Sequence, residues 1–361
     1  MTAMQKDTNA PVYLNTAGCG LISEVSLKAG AELYNAFTTN SSTRSEIWRD
    51  VESIIFRKEV ADFLEIEEDR LGFIPNFSYA MNMLVQSLRG DEHILVYKND
   101  YPSIIEPFVQ NGFRVHKIEA EDEFTIALER IEQCLAHQNI DILAIGHVQW
   151  QTGFMINLTA LSSLCKKYNT LLIVDATQSL GAVPIAMQDS GIDVLIASNY
   201  KWMNSGFGNG IIYFDPSFLE KYPPVVIGAA CLEFAGKARS YEPGGLNMYG
   251  LTLLQEAIKE KKKLGAKELY AHNMRLTKTL LDGLATHRGK IEIFGDYSIN
   301  HRSSIVVVKD QTNLKGSLGK WLEQAGIIVT NRGGTLRISM HFYNTAEEVG
   351  YMLSTIERWM A

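Results

Sequence analysis

The sequence predicts an α/β protein, with one large open sheet followed by a smaller α+β region, and three observations carry that expectation. Residues 171–214 hold three apolar, β-branched runs, LLIVDA, DVLIASN and GIIYF, of the kind that form strands buried on both faces of a sheet. Beyond residue 250 the short runs KIEIF, SSIVVV, GIIVT and TLRIS alternate with helical patterns, the mark of a compact α+β unit. The chain has 361 residues, enough for a large unit over 1–250 and a small one over 251–361.

The elements follow in order. After a polar start, VYLNTAGCGLIS is a short strand-like run broken by Gly18 and Gly20, and 23–37 has helical spacing. TTNSSTRSE is a polar loop, and 47–64 returns to helical spacing. From Leu71 a short strand leads into Asn76, a good N-cap, and a helix with Ala80, Met83, Leu84 and Leu88 on one face. HILVY is a strand with Tyr101 beyond its end. FRVHKI is another, and FTIALERIEQCLAH, opening at Phe124, is a helix. A buried strand over 142–148 precedes the loop HVQWQTG and a helix from Leu158. Past the central runs, a long helical pattern interrupted near Gly265 runs from Leu251 to Leu284, and further helices start at Leu314 and Ala346.

Bulk properties exclude several function classes. A net charge of -7 with 21% charged residues offers no basic stripe for nucleic acid, and KEKKK at 259–263 reads as a solvated helical face. Cys19, Cys134, Cys165 and Cys231 are scattered without metal-ligand spacing, which suits idle thiols in a reducing compartment and predicts no metal site. The opening MTAMQKDTNAP has no apolar signal core, and no run approaches the roughly 18 apolar residues of a membrane span. The expectation is a cytoplasmic protein without membrane or nucleic-acid partners.

Asp175 closes the first central run, Gln178 follows it, and Ser198, Tyr200 and Lys201 close the second. In open α/β sheets the carboxyl edge of the strands is where ligands bind. Taken singly, a lysine after a strand is a loop residue and an Asp there a helix cap; together they suit pyridoxal phosphate chemistry, in which a lysine amine forms a Schiff base with the cofactor aldehyde. A carboxylate at Asp175 keeps the pyridinium nitrogen protonated. Ser198 and Tyr200 are candidates for the phosphate, Gln178 for the ring hydroxyl.

The order VDATQSLG, then SNYK, then a glycine-rich turn resembles the class V aminotransferase family of fold type I pyridoxal phosphate enzymes. That family includes cysteine desulfurases, selenocysteine lyases, kynureninases, cystine C-S lyases and isopenicillin N epimerases, and the resemblance covers nearly the whole chain. It implies a mostly parallel seven-stranded sheet in the large domain, pyridoxal 5'-phosphate as cofactor, an L-amino acid as substrate and a homodimer. It also implies individual roles: Asn15, Thr16 and Ala17 beside the substrate, Phe77 (by its backbone N–H) and Ser78 at the phosphate, Tyr101 stacked on the cofactor ring, and Trp150 close to the cofactor. Gly245 stands where the family often has a threonine that reaches the other subunit's phosphate. Arg337, alone among apolar neighbours in TLRIS, matches the family's arginine for the substrate α-carboxylate; an internal salt bridge is the competing reading.

The resemblance leaves the reaction open between transamination, β-elimination or hydrolytic β-cleavage, and epimerization. An aminotransferase-type reaction is the expectation, and the HVQWQTG and YKWMNSG segments, similar to those of kynureninases, favour β-chemistry as the alternative. Persulfide-type cysteine desulfurization is disfavoured, because VTNRGGTLR holds no cysteine before the arginine.

Overall fold

The computed structural model describes residues 10–119, 125–188, 190–229, 231–295, 297–312, 317–332 and 334–361; the opening 1–9, Phe124 and Leu314 named above lie outside the described residues. Seven strands build the main sheet: β2 (Leu71–Ile74), β3 (His93–Tyr97), β4 (Arg114–Ile118), β5 (Ile142–Gly146), β6 (Leu171–Asp175), β7 (Val194–Ser198) and β8 (Gly210–Phe214), while β1 (Val12–Tyr13) lies elsewhere. Their order is β2-β8-β7-β6-β5-β3-β4. β3, β4, β5, β6 and β7 run parallel, and β8 is antiparallel to both β7 and β2. This is the mostly parallel seven-stranded sheet of fold type I enzymes.

Alternation along the strands explains why the runs are apolar throughout. Leu95, Leu143, Leu172, Val174 and Leu195 face one apolar cluster, and Ile94, Ile142, Ile173, Val194 and Ile196 face the other, so both sheet faces are covered. The carboxyl ends of β2, β3, β5, β6 and β7 consequently share one edge. Neighbouring β3 and β5 lead to opposite sides of the sheet, β3 pairing onward with β4 and β5 with β6, which opens a crevice at that switch point.

The second unit is an antiparallel sheet of β9 (Ile291–Phe294), β10 (Ile305–Asp310), β12 (Thr330–Arg332) and β13 (Thr335–Ser339), in the order β12-β13-β10-β9. The helices Ala266–Ala285 and Ala346–Met360 cover it, the latter opened by a Thr345–Glu348 capping box. β1 pairs in parallel with β11 (Ile327–Ile328), and Leu14 enters this unit's core. Conversely, Leu251, Leu254 and Ile258 of the helix Met248–Leu264 pack into the core of the large sheet. The helix Met248–Leu264 thus shares the apolar core of the large sheet, and the helix Ala266–Ala285 that of the small one.

One local expectation is corrected. Much of TTNSSTRSE is helical: Ser41–Ile47 forms a helix despite its weak Ser/Thr propensity, because Asn40 caps it by accepting from the Thr43 N–H. The break at Gly265 is real, with φ +81 separating two helices.

Candidate functional site

The carboxyl edge of the large sheet encloses a cavity of about 480 Å³, within the usual range for small-molecule sites. Asn76, Phe77 and Ser78 reach it from the end of β2, Asp100 and Tyr101 from β3, Trp150 from beyond β5, Asp175, Thr177 and Gln178 from β6, and Ser198, Tyr200 and Lys201 from β7. Residues up to about a hundred and twenty positions apart in sequence thus meet because parallel strands end together.

Lys201 is buried, and burial brings its amine down to about 8; Arg337 and Arg332 add to the depression and Asp175 opposes it. Its Nζ lies 5.8 Å from the Tyr101 ring centroid and 5.5 Å from that of Tyr200. The backbone around it is clamped by the N-terminal segment: Gly20 N donates to the Tyr200 carbonyl at 2.8 Å, and a Cβ at Gly20 would lie 1.9 Å from the Lys201 carbonyl oxygen. Only glycine allows that approach.

Burial raises the Asp175 carboxyl, and hydrogen bonds from Thr177 and the charge of Lys201 work the other way. Thr177 N donates to Asp175 Oδ1 at 2.8 Å, while Thr177 Oγ1 accepts from Ser198 N at 3.1 Å, tying β6 to β7. A second carboxylate, Asp100, is held at the switch point by Gly146 N (2.8 Å) and Tyr101 N (2.8 Å), and burial, with a smaller contribution from Asp175, lifts it to about 7.

Two helix N-termini open onto the cavity. Phe77 N donates to Ser198 Oγ at 2.8 Å, and Ser78 Oγ meets Ser103 Oγ at 2.7 Å, joining the helices Phe77–Ser87 and Pro102–Gln110. Such ends, with hydroxyls beside them, favour anions. The Tyr101 and Trp150 rings meet edge-on at 5.6 Å. The Tyr200 ring stacks on Phe207 at 4.6 Å, and burial pushes its phenol up to about 12. This set of a buried amine, a buried carboxylate, flat rings and hydroxyl-flanked helix ends fits the phosphorylated pyridine aldehyde that the resemblance implies.

Arg337 lies outside this lining but next to it. Its Nη1 donates to the Trp150 carbonyl at 2.7 Å and its Nη2 to Thr330 Oγ1 at 3.4 Å; Thr330 in turn donates to Asn15 Oδ1 at 2.5 Å. Among the described residues no carboxylate pairs with Arg337, so the internal salt bridge weighed from sequence is absent there. Burial, with Arg332 nearby, lowers its guanidinium to about 10.

Three sequence expectations change. Thr16 does not face the cavity: it is fully buried, with its hydroxyl 2.5 Å from that of Tyr343, because alternation along the chain turns it away from its neighbour Asn15. Gln178 lines the cavity, but its amide is already engaged, Nε2 donating to the Ala17 carbonyl at 3.1 Å and Oε1 accepting from Trp202 Nε1 at 2.8 Å. Gly245 borders an adjoining cavity of about 220 Å³ that meets the first at Gly208. Sequence reading missed Asp100, Thr177, Ser103 and Arg332. Thr177 sat inside the quoted VDATQ segment, whereas Asp100 in the polar stretch KND carried no pattern to distinguish it.

A sequence model of the family described as aminotransferase class-V matches residues 12–352. A probable cysteine desulfurase of Pyrococcus abyssi (strain GE5 / Orsay) is 24% identical over 333 residues, covering 83% of this chain and 81% of its own. An uncharacterized aminotransferase of Bacillus subtilis (strain 168), YcbU, is 21% identical over 308 residues, covering 83% and 82%. Among solved structures, a C-DES mutant with glycine covalently linked to its PLP cofactor superposes with a TM-score of 0.85 at 17% identity, over 96% of each chain.

Proposed function

Because the chain belongs to the aminotransferase class-V family of pyridoxal 5'-phosphate enzymes, we propose that it acts on an L-α-amino acid through Lys201 in an aminotransferase-type reaction. The reading rests on one observation: the Lys201 amine and the Asp175 carboxylate, from neighbouring strand ends, share one cavity. The cofactor, when bound, supplies an aldehyde for the substrate amino group and a sink for the electrons released at Cα.

Each chain residue then has a task. The N-terminus of Phe77–Ser87, with Ser78 and Ser198, would hold the cofactor phosphate, the Tyr101 and Trp150 rings would form the aromatic wall beside its ring, and Asp175 would pair with the ring nitrogen. Arg337 takes the α-carboxylate in its planar fork. The Lys201 amine takes the proton from Cα, and an amine near 8 is a competent base at neutral to mildly alkaline pH. Gln178 acts at one remove, holding Ala17 and Trp202 against the lysine segment.

A second reading, β-elimination from a sulfur amino acid, is favoured by the desulfurase named among the relatives together with the cysteine census here. The segment Thr330–Arg332 carries no cysteine, and Cys19, which lies near Lys201, turns its Sγ to the Gly20 and Tyr200 carbonyls at 3.7 and 3.6 Å. This reading disfavours a persulfide route, which needs a nucleophilic cysteine in that segment, whereas elimination needs none. Hydrolytic β-cleavage and epimerization draw on the same set of side chains.

The protein also works as a cytoplasmic homodimer on this reading. Phe207 lines the cavity yet is 69% exposed, and Gly244 and Gly245 stand beside it, leaving apolar surface that a second copy covers. Product analysis with a panel of L-amino acids and a keto-acid acceptor tests the reaction. A new amino acid formed in step with a new keto acid supports transamination. Pyruvate with sulfide and ammonia, and no acceptor needed, moves the assignment to β-elimination; no turnover across the panel overturns both.

A further inference from the structure

The hairpin of β12 and β13 brings two arginines to one face. Residues alternate across a strand, and directly opposed residues face the same side. Thr330 is opposed to Arg337, and Arg332 to Thr335, so Thr330, Arg332 and Arg337 share a face; Asn331 points the other way, its amide toward Ser317. Both guanidiniums converge on Trp150, a wall of the Lys201 cavity. Arg337 Nη1 donates to its carbonyl, and the Arg332 guanidinium lies 5.1 Å from its ring centroid.

The donors there outnumber the acceptors. Among the described residues no carboxylate stands within ion-pair distance of either arginine. Arg337 Nε and Trp150 Nε1 are buried without a hydrogen-bond partner. The two cations also work against one another, the charge of Arg332 being the second cause, after burial, of the depressed Arg337 guanidinium, and both reach Lys201. Like charges gathered without counter-charge are unfavourable in the free protein, and an anion bound between them removes the cost. One α-carboxylate satisfies Arg337 and leaves Arg332, the exposed member beside the Trp150 ring, without a carboxylate partner.

We infer that the substrate is an L-amino acid whose side chain ends in an oxyanion, a carboxylate or a sulfur oxyanion, with Arg337 taking the α-carboxylate and Arg332 the distal group. The inference rests on the amino-acid reading above and narrows it. Arg332 determines specificity and takes no part in proton transfer. A guanidinium fork over an aromatic ring can give two N–H donors to the paired oxygens of either oxyanion, which a lysine's point charge cannot do.

The test compares kcat/KM for L-aspartate, L-glutamate and L-cysteine sulfinate with that for L-asparagine, L-glutamine and L-cysteine, in the cofactor-loaded protein and in Arg332→Gln. The expected result is a preference for the best acidic substrate of about tenfold or more, equivalent to about 1.4 kcal/mol, that collapses in Arg332→Gln chiefly through KM. Lys278→Gln, a charge change on an exposed helix, keeps the preference. Which acidic substrate leads distinguishes a carboxylate from a sulfur oxyanion. An independent arm needs no turnover: calorimetric titration of the cofactor-free protein with succinate, expected to weaken about tenfold or more in Arg332→Gln. Equal use of neutral and acidic amino acids, or a preference that survives Arg332→Gln, overturns the inference and leaves the amino-acid reading standing. No turnover of any amino acid defeats that reading instead, and succinate binding unaffected by Arg332→Gln then defeats the inference as well.

Discussion

Glu242→Ala should destabilise the protein by about 3–5 kcal/mol, the range for leaving one member of a buried ion pair alone. The Glu242 carboxylate accepts from Arg57 Nη2 at 2.8 and 2.9 Å and from Phe73 N at 2.8 Å, while Arg57 Nη1 donates to the Leu71 carbonyl at 2.7 Å. The two side chains are only 7% and 6% exposed, and the guanidinium sits 4.5 Å from the Phe73 ring centroid. Removing the carboxylate strands a cation and a backbone N–H on β2; the N–H alone accounts for about 1–3 kcal/mol. Net stabilities are about 5–15 kcal/mol, so a large fraction disappears. The pair also anchors the segment that continues into Gly244 and Gly245, so the adjoining cavity loosens with it. Urea denaturation of the cofactor-free protein measures the cost. The double variant Arg57→Met/Glu242→Leu removes both charges and should recover much of the loss. A Glu242→Ala protein within about 0.5 kcal/mol of the parent, the range of an ordinary surface change, would refute the reasoning, as would a double variant no more stable than the single.

Three further outcomes are expected. Lys201 is held at about 8 against an ordinary 10.5, so between those values the unfolded chain binds more protons than the folded one; stability should rise with pH across that window, and Lys201→Met should make the rise shallower in urea titrations at stepped pH, leaving the share of buried Lys261, held at about 7. Arg337→Met removes a cation near that amine and should move the midpoint of its pH-dependent reaction with cofactor upward; a midpoint that stays or falls would show that the two charges do not communicate. Gly20→Ala places a Cβ against the Lys201 carbonyl and should weaken cofactor affinity while leaving the small-sheet core intact, as read by cofactor titration beside far-UV dichroism; unchanged affinity would count against the clamp.

Lys201, Asp175 and Ser198 were legible in the sequence because β-branched runs announce buried strands, and the residue that ends such a run lands on the ligand edge. Asp100 was not, since its importance comes from β3 and β5 lying side by side, a pairing between residues about fifty positions apart. The same holds for β1, whose partner Ile327 is far along the chain, and for Leu251, Leu254 and Ile258, whose packing on the large sheet is set by tertiary contact. Thr16 was misjudged through a one-residue parity: Asn15 faces Thr330 and Thr16 faces Tyr343. Gln178 shows a different limit, because an amide at a strand end reads the same whether it awaits a ligand or already spans two neighbours.

The most direct test of the central claim is to load the purified protein with pyridoxal 5'-phosphate, reduce it with borohydride and map the modified lysine by peptide mass spectrometry. The account predicts a single phosphopyridoxyl group on Lys201. Modification spread over exposed lysines such as Lys278, or a protein that takes up no cofactor, would contradict it.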